Sequence, residues 1–211
     1  MNSALFREQF VAATSSGLPG EEAHSTLMPI NRPFTSSALQ SNPEYRKSAV
    51  GILLYPTGET MNSVLIQRPD YKGVHGNQVS FPGGKMDPDD NNLEYTARRE
   101  CFEEVNLPLG IGTAIGTLSE VYIPVSKFLV QPYVLTLDET PDLSPDTYEV
   151  ESIIHFNIFQ LLDDSILKTT DIKLQQGFVR KNVPYFDING HVVWGATAMM
   201  LAEFKAILKK F

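Results

Sequence analysis

Cysteine is almost absent from this chain. The only thiol among the 211 residues belongs to Cys101. One cysteine excludes an internal disulfide and a cysteine-based metal cluster. Chains that fold without disulfides are typical of reducing compartments, so we expect a cytoplasmic protein.

Long apolar runs and basic charge are also scarce. No segment stays apolar for the roughly 20 residues that a membrane-spanning helix needs, and the N-terminal stretch lacks the basic and then apolar order of a secretory signal. The chain has 17 Lys and Arg against 25 Asp and Glu, a formal net charge of −8. This balance argues against nucleic acid and anionic membranes as partners. A small anionic substrate remains compatible with it, because a bound cation can reverse the local charge.

Turn-forming and apolar residues divide the chain into two parts. We expect residues 1–45 to form a short amphipathic helix over 3–14 and then an irregular arm rich in Ser, Pro, Gly and Asn. Residues 46–211 alternate strand-like and helix-like patterns, which predicts one mixed α/β domain with a single core. The predicted strands are 49–56, 63–68, 114–123, 128–137 and 152–158, with further strand signals near QVSF, FVRKNVPYFDI and HVVW.

Two helices stand out in this second part. The closing segment of the chain predicts a C-terminal amphipathic helix. Earlier, Asn91 or Asn92 is a suitable N-cap for a helix over Leu93–Val105, which Pro108 and Gly110 would end.

Three glutamates of this earlier helix are expected to share one face. A helix turns by about 100° per residue, so Glu100, Glu103 and Glu104 converge. Like charges at this spacing destabilise a helix by roughly 0.2–0.5 kcal/mol per pair, and a divalent cation would remove that repulsion. Carboxylates suit Mg²⁺ or Mn²⁺, and Mg²⁺ commonly shares its ligand shell with substrate phosphates. A solvated acidic face is the competing interpretation of the same residues.

The surroundings of the glutamates favour the metal site. Gly83 and Gly84 let the backbone turn tightly and bring a carbonyl close to the helix. Arg99 could pair with Asp87 or Asp90 and hold the glycine loop against the helix. The alternative for Arg99 is an ordinary surface ion pair of little energy.

The run GGKMDPDDNNLEYTARRECFEEVNL resembles the Nudix box, in which glycine, an acid, Arg-Glu and Glu-Glu build a loop-helix-loop metal site. The preceding RPDYKGVHGNQVSFPGG is similar to the extended signature of the coenzyme A pyrophosphatase subgroup, as is VVWGATA at 192–198. The resemblance is strong over about residues 63–107 and does not bear on the first 45. Asn77 and Asn106 stand where the pattern has glycine. Both turns can still form, because asparagine tolerates positive φ better than most residues.

The resemblance implies an α/β/α sandwich with a mixed β-sheet. It also implies hydrolysis of the diphosphate bond of coenzyme A or its thioesters with Mg²⁺ or Mn²⁺, giving 3′,5′-ADP and 4′-phosphopantetheine. The implied metal ligands are Gly84, Glu100, Glu103 and Glu104; the implied catalytic residues are these glutamates and Arg99; the implied substrate-binding residues are Arg68, His75, Gln78 and Phe81.

Several roles stay open at this point. One helix glutamate could act as general base, and Glu149 or Glu151 could supply a further acid or simply be exposed at the start of a strand. His75 could contact phosphate or only cap a turn. We expect Cys101 to be a small core residue and not a nucleophile. A homodimer is a further possibility.

Three other functions compete with coenzyme A hydrolysis. The chain could hydrolyse another nucleotide, such as NADH, ADP-ribose or a dinucleotide polyphosphate. It could bind a nucleotide as a sensor without cleaving it, although the intact glutamates argue against this. It could also be a structural protein with an acidic surface helix.

Overall fold

A long central strand organises the fold. The computed structural model describes residues 1–41, 44–70, 76–173 and 177–211. The helices are α1 Ser3–Thr14, α2 Gly20–Ser25, α3 Thr35–Ser41, α4 Leu93–Val105 and α5 Gly195–Leu208, with 3₁₀ turns at Ile158–Leu162 and Asp164–Ile166. The strands are β1 Arg46–Thr57, β2 Thr60–Gln67, β3 Val79–Ser80, β4 Gly83–Lys85, β5 Thr113–Thr117, β6 Val121–Ile123, β7 Phe128–Thr136, β8 Ser152–Asn157, β9 Leu167–Lys173, β10 Val179–Ile188 and β11 His191–Trp194.

The main sheet is mixed, as predicted. Strand β1 runs parallel to β7, from Arg46 opposite Phe128 to Leu54 opposite Thr136. On its other edge β1 is antiparallel to β4 near its start and to β2 near its end. Strands β5 and β6 extend the sheet beyond β7, and β3 and β8 pair with β2. Strands β9, β10 and β11 form a separate antiparallel sheet.

Helices cover both faces of the main sheet, which confirms the predicted α/β/α sandwich. Side chains alternate along β1, so Ile52 and Leu54 pack in one core with α1 and α5. Leu53 and Tyr55 face the opposite core, which contains residues of α4. Burial on both faces explains why the sequence of β1 is an almost continuous apolar run.

Helix α4 lies very close to β1. A Cβ atom added to Gly51 would stand 2.4 Å from the Sγ atom of Cys101, so the strand needs glycine where the helix crosses it. Cys101 is fully buried, and burial raises the pKa of its thiol. The thiol stays protonated, and the expectation of an inert core residue is confirmed.

The ends of α4 match the prediction. The side chain of Asn92 accepts a hydrogen bond from the backbone N–H of Tyr95. Asn106 follows the helix with φ 58°, and Asn77 has φ 57°. Both asparagines therefore adopt the left-handed conformation that the glycines of the pattern would supply.

The first 41 residues contain more helix than predicted. The irregular arm expected after α1 includes the short helices α2 and α3. Both depend on contacts with distant residues: His24 of α2 meets Glu203, and the hydroxyl of Thr35 in α3 accepts a hydrogen bond from the N–H of Tyr122. Helices this short bury too few residues to show a periodic pattern.

Helix α1 belongs to the main core. Phe6 and Phe10 are buried against the sheet and α5, with the ring of Phe6 close to those of Phe204 and Phe211. The hydroxyl of Ser3 donates to the carbonyl of Leu137 at 2.6 Å. Helix α1 thus shares one core with residues of the later segment, and the division of the chain at residue 45 stays a prediction.

Other differences are local. The hairpin between β1 and β2 turns through Gly58 and Glu59 alone, with Gly58 at φ 61°, so its loop is shorter than predicted. Strand β9 was not predicted, because its residues are mostly exposed and polar. Within the described ranges, no helix has the length and apolar content needed to cross a bilayer.

A buried carboxylate ties three elements together. Glu203 of α5 is fully buried and accepts hydrogen bonds from the N–H of Gly20, the N–H and hydroxyl of Ser119, and Nε2 of His24, at 2.7–3.0 Å. Burial alone would raise the pKa of Glu203, but the hydrogen bonds from His24 and Ser119 outweigh it and lower the pKa. The charged form is therefore the stable one inside the fold.

We expect Glu203→Gln to destabilise the protein by about 2–3 kcal/mol, because an amide nitrogen cannot accept from the donors around it. For a chain of this size, such a loss lowers Tm by roughly 5–10 °C. Thermal unfolding at neutral pH would measure it. Glu8→Gln, at an exposed position of α1, is the control, and equal Tm values for the two variants would contradict the role given to Glu203.

Candidate active site

A large cleft opens beside Gly83 and Gly84 of β4. Its volume is about 830 Å³, within the range of small-molecule sites. The walls come from the arm around Pro29, from β4, from α4 and from β10. Glu100 and Glu104 face this main cleft from α4, and Glu149 faces it from the loop before β8.

Glu104 is the most firmly held acid of the cleft. Its side chain is 1% exposed. One oxygen accepts a hydrogen bond from Nη2 of Arg68 at 2.8 Å, and the other accepts from the N–H of Gly83 at 2.7 Å. Burial is the main cause that raises the pKa of Glu104, to about 7, although Arg68 and Gly83 act in the opposite direction.

Glu100 lies directly against Gly84. Gly83 and Gly84 belong to strand β4 and pair with β1, so the tight turn predicted at these glycines is wrong. A Cβ atom at Gly84 would stand 2.4 Å from Oε1 of Glu100, so any larger residue at position 84 would overlap the carboxylate. Burial raises the pKa of Glu100, while Arg99 partly offsets the effect. Glycine at position 84 therefore leaves the space that the Glu100 carboxylate occupies. Arg99 compensates only part of the effect of burial on this carboxylate.

Arg99 connects the loop with the acids of α4. Its Nε and Nη2 donate to the two oxygens of Asp90, both at 2.9 Å, and Nη2 also donates to a backbone carbonyl of β4. The other predicted partner, Asp87, is 3.9 Å away. Nη1 donates to Glu100 at 2.9 Å and to Glu103 at 2.7 Å. The pairing with Asp90 is much more than a loose surface contact, because both groups are largely buried.

Glu103 differs from the other two glutamates. Its side chain is 48% exposed, and it lines a shallower depression with Asn106 and Asp146 instead of the main cleft. The expected convergence therefore holds for Glu100 and Glu104, whereas Glu103 is linked to Glu100 through Arg99. Among the residues with described positions, no three His, Cys, Asp or Glu side chains together form a ready metal-binding group.

The available donors nevertheless suit a hard divalent cation. Glu100, Glu104 and Glu149 line one end of the cleft, and the charge of Glu149 helps to raise the pKa of both other acids. Burial and mutual repulsion disfavour the charged forms of these carboxylates, and a divalent cation bound between them would favour the charged forms again. The closeness of Gly84 to Glu100 adds a backbone position next to these oxygens.

The predicted substrate-binding residues have mixed surroundings. Arg68, Gln78 and Phe81 all line the main cleft. Arg68 is already engaged by Glu104 and by the carbonyl of Gly83, and Phe81 is 1% exposed within the core. His75 lies outside the described residues.

Two arginines of the cleft were not predicted as site residues from the sequence. Arg32 from the arm and Arg180 from β10 both line the main cleft. They are far apart in the chain and belong to no recognisable motif, so only the fold brings them together.

Comparison with known proteins identifies the class of this fold. The NUDIX domain model matches residues 45–170, and the chain belongs to the NUDIX family. A mitochondrial coenzyme A diphosphatase of Mus musculus is 33% identical over 130 residues, which are 61% of this chain and 61% of that protein. An uncharacterized Nudix hydrolase of Yersinia enterocolitica is 31% identical over 138 residues, 65% of this chain and 69% of that protein.

A solved structure supports the fold. The binary complex of a C. elegans Ap4A hydrolase has a TM-score of 0.52 and 18% sequence identity, and the match covers 79% of this chain and 99% of that one. At this identity the likeness concerns the fold alone. The sequence matches confirm the resemblance to Nudix proteins and to their coenzyme A diphosphatases. The chain spans only about three fifths of the length of the mouse relative.

We expect Asp90→Asn to cost about 1–3 kcal/mol at pH 7, because Arg99 then loses its charged partner. The hydrogen bonds from Arg99 lower the pKa of Asp90 to about 2, so the stabilisation is complete above pH about 4 and disappears as the pH falls toward about 2. Urea unfolding between these pH values would measure the difference from the wild type. Exposed Asp89 provides the control Asp89→Asn; a difference that does not shrink in acid would contradict this account.

Proposed function

We propose that the protein hydrolyses the diphosphate bond of coenzyme A or its thioesters in the presence of Mg²⁺ or Mn²⁺. The products are 3′,5′-ADP and 4′-phosphopantetheine or its acyl form. The observation that carries the proposal is the pair of buried glutamates, Glu100 and Glu104, facing a large cleft beside Gly84. The similarity to a named coenzyme A diphosphatase supports the choice of substrate.

In this proposal Gly84, Glu100, Glu103 and Glu104 would hold the cation, and Glu103 would have to leave its hydrogen bond with Arg99 to do so. When bound, the cation supplies positive charge to the diphosphate and makes the attacking water more acidic. Arg68 and the N–H of Gly83 fix the carboxylate of Glu104 in advance, so little reorganisation is needed when substrate arrives.

The reaction adds water across the P–O–P linkage. The oxygen of water bonds to one phosphorus, the bond from that phosphorus to the bridging oxygen breaks, and a proton leaves the water. Glu149 is our candidate for the proton acceptor, because it lines the cleft near Glu100 and Glu104 and is itself exposed to solvent. Glu151 does not line the cleft, and its N–H donates to the carbonyl of Gln67.

Product analysis tests the proposal directly. Purified protein with Mg²⁺ or Mn²⁺ would be incubated with coenzyme A, acetyl-coenzyme A, NADH, ADP-ribose and diadenosine polyphosphates. We expect 3′,5′-ADP from coenzyme A, with a loss on the order of 10²-fold or more in Glu103→Gln if this residue binds the metal. Glu103 is half-exposed, so the fold should tolerate the change.

Glu94→Gln is the matched control. Glu94 lies on the same helix but pairs with Arg98, so its loss should leave activity close to that of the wild type. Cleavage of NADH or ADP-ribose but not coenzyme A would overturn the substrate assignment. Nucleotide binding without cleavage of any compound would overturn hydrolysis and favour a sensor.

The role of Glu149 can be tested separately. Glu149→Gln should lower kcat by roughly 10²–10⁴-fold, the usual contribution of a general base, with a much smaller change in KM. Glu151→Gln, two residues along the same segment, should have little effect on either constant. Steady-state kinetics would compare them, and a normal kcat in Glu149→Gln would exclude it as proton acceptor.

A further inference from the structure

Arg32 has hydrogen-bonding capacity that the described residues do not satisfy. Its Nη2 donates to the carbonyl of Tyr122 at 2.7 Å, which ties the arm to β6. Its Nε is buried and has no hydrogen-bond partner in the described part of the chain. A buried donor without an acceptor costs free energy. A ligand that supplies an acceptor to this Nε–H would remove that cost.

Arg180 lines the same cleft as Arg32. It lines the main cleft from β10, and no described carboxylate forms an ion pair with it or with Arg32. Burial lowers the pKa of Arg32 to about 10, and the positive charge of Arg180 contributes to the shift. The two guanidinium groups are therefore close enough to repel each other.

Two arginines of one cleft that form no ion pair with any described residue are notable in a chain with a net charge of −8. The acids of the same cleft are Glu100, Glu104 and Glu149, and the partners of Glu104 and Glu100 are Arg68 and Arg99. The acidic group of the cleft is Glu100, Glu104 and Glu149, and the basic group is Arg32 and Arg180. Among the described residues no ion pair joins these two groups. The acidic group suits a metal with a diphosphate, and the basic group suits an additional anion.

We propose that Arg32 and Arg180 bind a phosphomonoester carried by the substrate, distinct from the diphosphate that is cleaved. Guanidinium groups match phosphate oxygens with paired N–H donors. The inference rests on the proposed function and deepens it, because coenzyme A carries a 3′-phosphate on its ribose whereas NADH and ADP-ribose carry none. The two arginines would then select for the 3′-phosphorylated nucleotide.

The strand β10 offers a matched control for the test. Lys181, next to Arg180, is exposed and does not line the cleft. Arg180→Gln and Lys181→Gln therefore remove the same charge from adjacent positions, one inside and one outside the proposed site.

The first measurement is kcat/KM for coenzyme A and for dephospho-coenzyme A, which differs only by the missing 3′-phosphate. We expect the wild type and Lys181→Gln to prefer coenzyme A by about tenfold or more, the effect of roughly one charge-assisted hydrogen bond. Arg180→Gln should lose about tenfold on coenzyme A, with a much smaller change on dephospho-coenzyme A. Arg32→Gln should behave alike, provided that its Tm shows an intact fold.

The second measurement does not depend on catalysis. Calorimetry in EDTA would compare binding of 3′,5′-ADP and 5′-AMP, and we expect a preference for 3′,5′-ADP that Arg180→Gln abolishes and Lys181→Gln retains. Equal binding of the two nucleotides by the wild type, or an unchanged preference in Arg180→Gln, would overturn the phosphomonoester site.

The two proposals fail in different ways. Equal cleavage of coenzyme A and dephospho-coenzyme A would refute the role of the arginines and leave diphosphate hydrolysis intact. No cleavage of either compound, with a selective 3′,5′-ADP site, would refute the proposed function and leave the arginine site standing.

Discussion

The buried carboxylate of Glu104 is the interaction on which the cleft depends. It joins three elements, since its partners are Arg68 at the end of β2 and the N–H of Gly83 in β4, while the residue itself belongs to α4. A buried charge is tolerated only when its hydrogen bonds are satisfied. This requirement fixes the position of β4 relative to α4. Glu100 and Glu104 therefore face the cleft from a fixed position.

Arg99 performs a related task on the outer side of the loop. Its bidentate pairing with Asp90 holds the loop after β4 against α4, and its remaining nitrogen lies between Glu100 and Glu103. In this arrangement the arginine stands where like charges would otherwise repel one another. The same groups can therefore stabilise the fold without a metal and present carboxylates to one.

The sequence predicted the parts of this structure that have local causes. Helix α4 is correct to the residue because Asn92 caps it and its apolar positions are periodic, and β1 is recognisable because both of its faces are buried. The helical period also placed Glu100 and Glu104 together. Glu103 stands four residues after Arg99 on the same helix, and the ion pair between these two side chains was not predicted.

The remaining differences come from contacts between distant segments. Helices α2 and α3 are too short to be recognised without Glu203 and Tyr122, and β9 is a polar strand that forms only beside β10. Arg32 and Arg180 meet in the cleft for the same reason. Their chemistry is visible in the sequence, but their neighbourhood exists only after folding.

The packing of α1 against α5 has a consequence for protein synthesis. Phe6 and Phe10 are synthesised long before their partners on α5 and before Phe211 beyond it. Until then the two aromatic rings lack their native cover and expose apolar surface that favours aggregation. The nascent chain therefore has to keep α1 soluble, or shielded by a chaperone, until α5 has been made.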